Sequence, residues 1–220
     1  MEQMTIEEQK RQVNTWLFED PFGFNLEEGV ELKRVLARAL IGNEKSGCLY
    51  LVNGMLSGRS TLWTAIRESF SEYHKSFSPQ ELRPLQGQME CRLWFLTRLR
   101  KNTRLAMGMY TPSVIDGNVV LQLTGNAPPT VRKDTDIKRV NVPTLLVQTD
   151  NFPDITPDVG DRVRVFQTTI EFHQTPTEAH HRKQNIAVSD STSKKWFRLA
   201  FARLLEETYH TERPPRIRHL

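Results

Sequence analysis

The sequence predicts an α/β fold in which helices flank a sheet and a small helical portion precedes it. Three observations lead to this prediction. An apolar strand, a glycine-bearing loop and a helix follow one another in LYLVNGMLSGRSTLWTAI, residues 49–66. Two further apolar strands, RLAMGMY and TLLVQTDN, come later in the chain. Helical patterns separate these strands, and strands that alternate with helices form sheets covered on both faces.

The composition is that of a basic globular protein. Of the 220 residues, 38% are apolar and 25% are charged, the formal net charge is +4 and the pI is near 9.2. No apolar run approaches the roughly 18 residues that span a bilayer, and the N-terminus lacks the apolar stretch of a signal peptide. Cys48 and Cys91 are too few for a disulfide framework. A reducing compartment without membrane contact, the cytosol or the nucleus, is expected.

Two amphipathic helices are predicted before the sheet. Apolar residues recur at helical spacing in TIEEQKRQVNTWLF and, after a break at Asp20-Pro21-Phe22-Gly23, in LEEGVELKRVLARALIG. Asn25 is the candidate cap of the second helix, and Gly42 is expected to end it. The predicted division of the chain is an N-terminal helical segment (1–44), the main domain (45–212) and a basic tail (213–220).

The remaining elements follow in order. TLWTAIRESFSEY reads as a helix with a buried stripe of Leu62, Trp63, Ile66 and Phe70, and MECRLWFLTRLRKN as a basic amphipathic helix. SVIDGNVVLQLTGN fits either a strand or a helix, and APPTVRKDTDIKRVNVP either a loop or an exposed hairpin. RVRVFQTTIEF alternates as a strand does. PTEAHHRKQNIAVSDST is predicted to be a loop, and SKKWFRLAFARLLEETYH a closing helix.

The loop after the first strand has the outline of a phosphate-binding loop. Loops of the form G-x-x-x-x-G-K-[ST] cradle phosphates with backbone N–H groups, reach them with the lysine and ligate Mg²⁺ with the hydroxyl. This sequence reads Asn53-x-x-x-x-Gly58-Arg59-Ser60, with Gly54 one position late. The second glycine and the hydroxyl are therefore present, but the first glycine and the lysine are not. A glycine-bearing turn without a ligand is the alternative.

The order of these segments resembles the superfamily 3 helicase domain of parvovirus Rep and large non-structural proteins. PTLLVQTDN is similar to a strand that ends in a polar sensor, PTPVIVTSN in Rep proteins. LYLVNGMLSGRST stands where those proteins have a strand and loop like WLFGPATTGKT, and DRVRVFQTTIEF is similar to DRMFKFEL. The resemblance runs through most of the chain. It implies an AAA+-like P-loop sheet that binds ATP and Mg²⁺.

The same resemblance implies roles for particular residues. The nucleotide-binding loop would consist of Asn53, Gly54, Ser57, Gly58, Arg59, Ser60 and Thr61, with Ser60 as the metal ligand. Asn151 would be the polar sensor, and Arg162 the arginine that reaches a neighbouring subunit's nucleotide. A DNA-contacting loop would carry Lys133, Lys138 and Arg139. Structural alternatives stay open: Asn151 caps a turn, Arg162 is a surface charge, and the basic loop is solvated without binding DNA.

The sequence departs from the family where catalysis is most demanding. The family has two acids at the end of the strand after the basic helix, where they polarise water and hold magnesium. Here that strand has Met107 and Gly108, and no Asp or Glu occurs from residue 95 to residue 115. Arg59 compounds the loss, because arginine is a wider fork than lysine. Asp116 and Asp150 are the acids that could be recruited instead.

Three hypotheses of function follow from these observations. The favoured one is a catalytically degenerate viral Rep-like protein of the host nucleus. It would bind single-stranded DNA or viral or host replication proteins. The alternative is an atypical ATP-dependent helicase in which Arg59 replaces lysine. The third is a structural interaction protein whose basic faces bind nothing. The His180-His181 pair is predicted to be exposed rather than metal-bound, and the oligomeric state is left open.

Overall fold

The computed structural model describes residues 4–42, 47–54, 57–84, 94–125, 129–133 and 136–212. The predicted basic tail, Cys91 and residues 89–93 of the predicted basic helix lie outside these ranges. The α-helices of the described part are α1 (Ile6–Asn14), α2 (Leu26–Ala37), α3 (Arg59–Phe70), α4 (Trp94–Thr97), α5 (Gly117–Thr124), α6 (Ile186–Ser191) and α7 (Lys195–Glu212).

The strands are three to six residues long. They are β1 (Leu49–Asn53), β2 (His74–Phe77), β3 (Leu105–Met109), β4 (Val114–Asp116), β5 (Thr130–Lys133), β6 (Asp136–Arg139), β7 (Thr144–Thr149), β8 (Asp154–Thr156), β9 (Val163–Gln167), β10 (Glu171–His173) and β11 (His181–Lys183). Five of them form one parallel sheet in the order β2-β3-β7-β1-β9. This sheet, flanked by helices, confirms the predicted α/β class.

The chain divides into two compact units. A sheet unit comprises residues 44–55 and 72–167, and a helical unit combines residues 1–43, 56–71 and 168–220. The predicted division, an N-terminal helical segment of residues 1–44 and a main domain of residues 45–212, stays a prediction. The C-terminal residues, from 168 onward, group with that segment rather than with the sheet.

The core of the sheet unit is built by its strands and α5. Every residue of β7 is buried, as expected for a central strand of a parallel sheet. Leu145 and Val147 belong to an apolar cluster with Leu51 of β1 and Val120 of α5. Leu146, which points to the opposite face, is also fully buried. Both faces of the sheet are therefore covered.

The helical unit is organised around α7. This helix packs against α1, α2 and α3, and its buried residues include Phe197, Phe201 and Leu205 at intervals of four, the spacing of one helix face. The Phe201 ring stacks on Phe18 at a centroid distance of 6.0 Å. Thr5 begins α1 with a capping box that satisfies two N-terminal donors.

Two predicted elements differ from the structure. The basic helix ends at Thr97, because the chain turns at Arg100, whose carbonyl accepts a hydrogen bond from the Thr103 N–H at 3.0 Å. The predicted loop PTEAHHRKQNIAVSDST contains β11 and α6. The side chain of Asn185 caps α6 by accepting from the Ala187 N–H at 3.1 Å.

Two ambiguous segments are resolved by the structure. SVIDGNVVLQLTGN forms both a strand and a helix, β4 and α5, and β4 pairs with β8. The basic segment forms an antiparallel hairpin of β5 and β6. Asn25 precedes α2 as predicted but makes no capping hydrogen bond with its side chain. None of the helices in the described ranges has both the length and the apolar character needed to cross a membrane.

Candidate nucleotide-binding site

The strand–loop–helix predicted around Gly58 is present. β1 ends at Asn53, and α3 begins at Arg59, with residues 55 and 56 outside the described ranges. Gly58 occupies the N-cap position with a φ of 73°, in the left-handed region that glycine adopts without steric cost. The left-handed backbone before α3 is thus a physical reason for glycine at position 58.

The side chains at the start of α3 differ in exposure. Ser60 is exposed and Thr61 is half-buried, so the hydroxyl predicted to ligate magnesium is accessible. Arg59 is only 6% exposed. Because a guanidinium stays charged in proteins, its burial requires hydrogen-bond partners within the fold. The Ser57 hydroxyl is also buried, and no partner for it occurs among the described residues.

A separate set of polar residues lies at the carboxyl edge of the parallel sheet, within the sheet unit. Asn53 and Thr149, the last residues of β1 and β7, are register partners. On the other side of β1, Asn53 pairs with Gln167 of β9, and its Nδ2 donates to the Gln167 Oε1 at 2.8 Å. Ligands of open parallel sheets bind outside this edge. The sequence predicted Asn53 here but missed its amide partner.

The predicted sensor, Asn151, lies at the same edge. It follows β7 by two residues, and its carbonyl accepts a short hydrogen bond from the Thr149 hydroxyl. That hydroxyl also lies 2.8 Å from the Thr111 Oγ1. Since the proton of Thr149 is donated to Asn151, Thr111 must donate to Thr149. This chain of two hydroxyls fixes the turn that carries the exposed Asn151.

The end of β3 is packed where the resemblance requires acids. Met107 is buried, and a β-carbon at Gly108 would collide with the Pro79 Cγ and lie 3.0 Å from the Pro79 Cδ. A side chain at position 108 therefore has no room. The next residues, Met109 and Tyr110, are exposed, and Tyr110 has a φ of 64°, which is strained for a side chain of its size. The structure explains why glycine stands at position 108.

Asp116 and Asp150, the acids that could replace the missing pair, differ in burial. Asp116 is buried at the end of β4, and its Oδ1 accepts a hydrogen bond from the Asn118 N–H at 2.9 Å. It is thus the N-cap of α5. Asp150 is exposed beside Asn151.

Arg162 lies at the opposite edge of the sheet from Asn53. It directly precedes β9, whose first residue pairs with Leu49, the first residue of β1. The length of β1 separates the two edges by about 13 Å. The Arg162 guanidinium donates to the carbonyls of Thr124, at 2.9 Å, and Gly47, at 3.4 Å. Its position excludes a role at this chain's own sheet edge near Asn53, and its contact with Thr124 stabilises the C-terminus of α5.

The structure describes the basic hairpin of β5 and β6 through its backbone pairing. Thr130 pairs with Arg139, and Val131 pairs with Lys138. Arg139 is exposed. The side chains of Lys133 and Lys138 lie outside the described part of the structure.

Comparison with known proteins adds evidence on the fold alone. No known protein family matches the chain, and no curated protein sequence matches it. The A form of the apo NrS-1 C-terminal region matches 94% of this chain with 46% of its own length, at a TM-score of 0.58 and 14% identity. A second apo structure of that region, residues 305–718, matches 96% of this chain with 51% of its own, at a TM-score of 0.58 and 11% identity.

The JCV helicase matches 94% of this chain with 61% of its own, at 11% identity, but its TM-score of 0.46 is too low to carry an argument. The chain spans about half the length of the NrS-1 structures it matches. The likeness to those structures supports the predicted fold, a parallel sheet flanked by helices. The resemblance to parvovirus Rep proteins stays a prediction.

Proposed function

We propose that this chain is a helicase-type P-loop protein, related to the superfamily 3 domains of parvovirus Rep proteins, that does not hydrolyse ATP. It acts as an accessory protein that binds single-stranded DNA, or viral or host replication proteins, in the host nucleus. The observation that carries this proposal is the packing of Gly108 against Pro79.

Without the two acids, the chain lacks the groups that polarise the attacking water and hold magnesium in the helicase family. Phosphoryl transfer depends on positioning and on charge stabilisation, with no covalent protein residue to replace them. Removing one preorganised transition-state contact costs on the order of 10²–10³ in rate. Position 108 cannot regain a carboxylate without moving Pro79, and Asp116 is already used to cap α5. Arg59 in place of lysine supports the same conclusion, because arginine presents a wide planar fork where such loops use the compact ammonium of lysine.

Nucleic-acid binding is supported by the distribution of charge. The net charge of +4 favours phosphate backbones, and the paired strands β5 and β6 carry several basic residues within a short stretch of sequence. Lys133, Lys138 and Arg139 are the residues proposed to contact the strand. The exposed Arg139 is the one whose side chain the structure describes.

The first experiment measures nucleotide binding and hydrolysis on one purified sample. We expect ATP hydrolysis at the background rate with and without single-stranded DNA, and weak or absent Mg²⁺-dependent binding. Arg59→Ala should leave the hydrolysis rate unchanged. DNA-stimulated hydrolysis that disappears in Arg59→Ala would establish the alternative, an atypical ATPase.

The second experiment tests DNA binding by charge reversal. Lys138→Glu combined with Arg139→Glu should weaken binding of an oligonucleotide at least tenfold at moderate salt and reduce the salt dependence of the affinity. The matched control is Lys194→Glu with Arg198→Glu, which changes the net charge equally at two exposed residues near the start of α7. Equal losses in both variants, or no binding by the unmodified chain, would overturn the assignment of the hairpin.

A further inference from the structure

A small parallel ladder in the helical unit holds several histidines. β10 and β11 pair Glu171 with His181, and the Glu171 N–H donates to the carbonyl of His180 at 3.1 Å. The Gln184 N–H closes the other end by donating to the carbonyl of His173 at 2.9 Å. These residues therefore have hydrogen-bonded backbones. The predicted exposed pair is corrected for His181, whose side chain is 9% exposed, whereas that of His180 is 40% exposed.

Glu171, His173, His180 and His181 form what we call the histidine cluster. The Glu171 Oε2 lies 3.0 Å from the His173 Nε2 and 3.8 Å from the His181 Nε2. The ring centroid of His181 is 4.0 Å from that of His173 and 4.5 Å from that of His180. The potential ligand atoms of Glu171, His180 and His181 all lie within 4.8 Å of one another.

We propose that Glu171, His180 and His181 bind one divalent metal ion of the zinc class, and that His173 orients the carboxylate of Glu171. Imidazole nitrogen and carboxylate oxygen are zinc ligands at about 2.0–2.2 Å. Tetrahedral ligands at that distance are about 3.4 Å apart. The three side chains must therefore approach one another by about 1 Å, which rotation about their side-chain bonds allows. Three protein ligands leave the fourth position to water.

A second layer of contacts orients the His180 ring. Ligating histidines almost always have a hydrogen-bond partner at the ring nitrogen that does not bind the metal. The His180 Nδ1 lies 3.5 Å from the Glu178 Oε2, which leaves Nε2 for the metal. In the same way, the 3.0 Å hydrogen bond from His173 fixes one oxygen of Glu171.

The His181 ring requires a change of tautomer. Its Nδ1 accepts from the backbone N–H groups of Thr177 and Glu178, both at 3.3 Å, so the ring proton lies on Nε2, which faces Glu171. Metal binding at Nε2 moves that proton to Nδ1. The backbone N–H groups of Thr177 and Glu178 must then give up their hydrogen bonds to Nδ1, and the Thr177 hydroxyl, 3.3 Å away, accepts the proton instead. Thr177 is therefore a positioning residue of the proposed site.

The site has a consequence for the candidate phosphate loop. Phe172 lies between two members of the cluster, and a β-carbon at Gly58 would lie 3.5 Å from its ring. The strand that the metal would fix is thus the strand that packs against the start of α3. This consequence is independent of whether nucleotide is bound or hydrolysed.

The test is a titration of the untagged 220-residue chain with Zn²⁺ and with Co²⁺ in the absence of nucleotide. We expect one equivalent to bind with micromolar or tighter affinity, and bound Co²⁺ to show the visible absorption of a tetrahedral site. His180→Ala and Glu171→Gln should each weaken binding at least tenfold. Thr177→Val should weaken it by about 10–100-fold, the range seen for outer-shell partners.

His210→Ala is the matched control, because His210 is an exposed histidine of α7 outside the cluster. It should bind metal as the unmodified chain does. Circular dichroism of each metal-free variant separates loss of a ligand from loss of the fold, and the half-buried His180 is less enclosed than His181. The proposal is overturned if the chain binds no metal saturably, or if affinity is unchanged in folded His180→Ala and Glu171→Gln. The cluster would then be a purely structural contact in which Glu171 accepts a hydrogen bond from His173.

Discussion

Single residues determine what chemistry the carboxyl edge of the sheet can carry. Gly108 faces Pro79 with no space for a β-carbon, and Asp116 uses its carboxylate to cap a helix. Arg162, predicted to act on a neighbouring subunit, donates to two carbonyls of its own chain. Each of these residues has a structural role that its sequence position alone does not reveal.

Replacement of Gly108 should be destabilising. Gly108→Ala places a methyl group against the Pro79 ring, and overpacking of this kind lowers the free energy of unfolding by about 1–3 kcal/mol. Urea denaturation measures the change. Gly47→Ala is the control, because its nearest neighbour would be the Arg162 NH1 at 3.8 Å, an ordinary contact, and it should change stability by less than about 0.5 kcal/mol. Equal stability of both variants would contradict the close packing at position 108.

The thiol of Cys48 should react slowly. Burial raises the pKa of Cys48 above its ordinary value of 9.0, and its Sγ donates to the Asp161 carbonyl at 3.1 Å. The thiolate is the reactive species, so less of it is present at neutral pH than for a free thiol. In a Cys91→Ser variant, alkylation by iodoacetamide at pH 7.5 should be slower than that of N-acetylcysteine. The rate should rise with a midpoint above pH 9; a midpoint at or below 9 would show that the thiol is not desolvated.

Secondary-structure elements place these residues at defined edges of the sheet. The carboxyl ends of β1, β7 and β9 bring together Asn53, Thr149 and Gln167, and the amino end of β9 places Arg162 at the far edge. The α5 helix connects residues described above at its two ends. It begins at the Asp116 cap and ends at the carbonyl that Arg162 contacts.

Loss of the α5 cap should destabilise the sheet unit. Asp116→Ala leaves the Asn118 N–H without its acceptor, and such changes lower the free energy of unfolding by about 1 kcal/mol. Asp116→Asn should retain most of the stability, because asparagine caps helices about as well. Thermal unfolding of the two variants makes the comparison. If both lose stability equally, the negative charge rather than the cap is what Asp116 contributes.

The long, apolar elements were predictable from sequence and the short, polar ones were not. β1, β3 and β7 were predicted because burial on both faces of a parallel sheet requires nearly continuous apolar runs. β11 consists of His181, Arg182 and Lys183, so it has no apolar pattern and exists only through its backbone pairing with β10. The candidate site divides in the same way. The spacing of the phosphate-loop pattern indicated Gly58. The Asn53–Gln167 hydrogen bond and the Gly108–Pro79 contact could not be predicted, because they depend on residues distant in the chain.

At the scale of the molecule, the helical unit is held by contacts between distant parts of the chain. Lys10 of α1 forms ion pairs with Glu7, at 2.7 Å, and with Glu207 of α7 at a shorter distance. The apolar surfaces of α1 and α2 are buried by the same helix.

Removal of Lys10 should lower the Tm over a wide pH range. Hydrogen bonding to Glu207, and then to Glu7, raises the pKa of Lys10 above its ordinary value of 10.5. A lysine whose pKa rises on folding contributes stability at all pH values below the unfolded pKa and loses it only above the folded pKa. Lys10→Ala should therefore lower the Tm by several degrees to the same extent at pH 7 and pH 9.

The exposed neighbour Arg11 supplies the control for this prediction. Arg11→Ala should change the Tm little at either pH. A double-mutant cycle of Lys10→Ala and Glu207→Ala measures the coupling of the pair. Additive effects of the two single substitutions would show that the ion pair contributes nothing to the helical unit.

The discontinuous helical unit also sets an order of events during synthesis on the ribosome. α1 and α2 emerge first, but α7, which buries Phe18 between the helices, is translated only after roughly 160 further residues, or roughly 10–30 s. During that interval, the nascent chain presents an apolar helix pair while the sheet is being completed. Folding chaperones that recognise exposed apolar surface therefore have time to bind the first forty residues before their permanent partner exists.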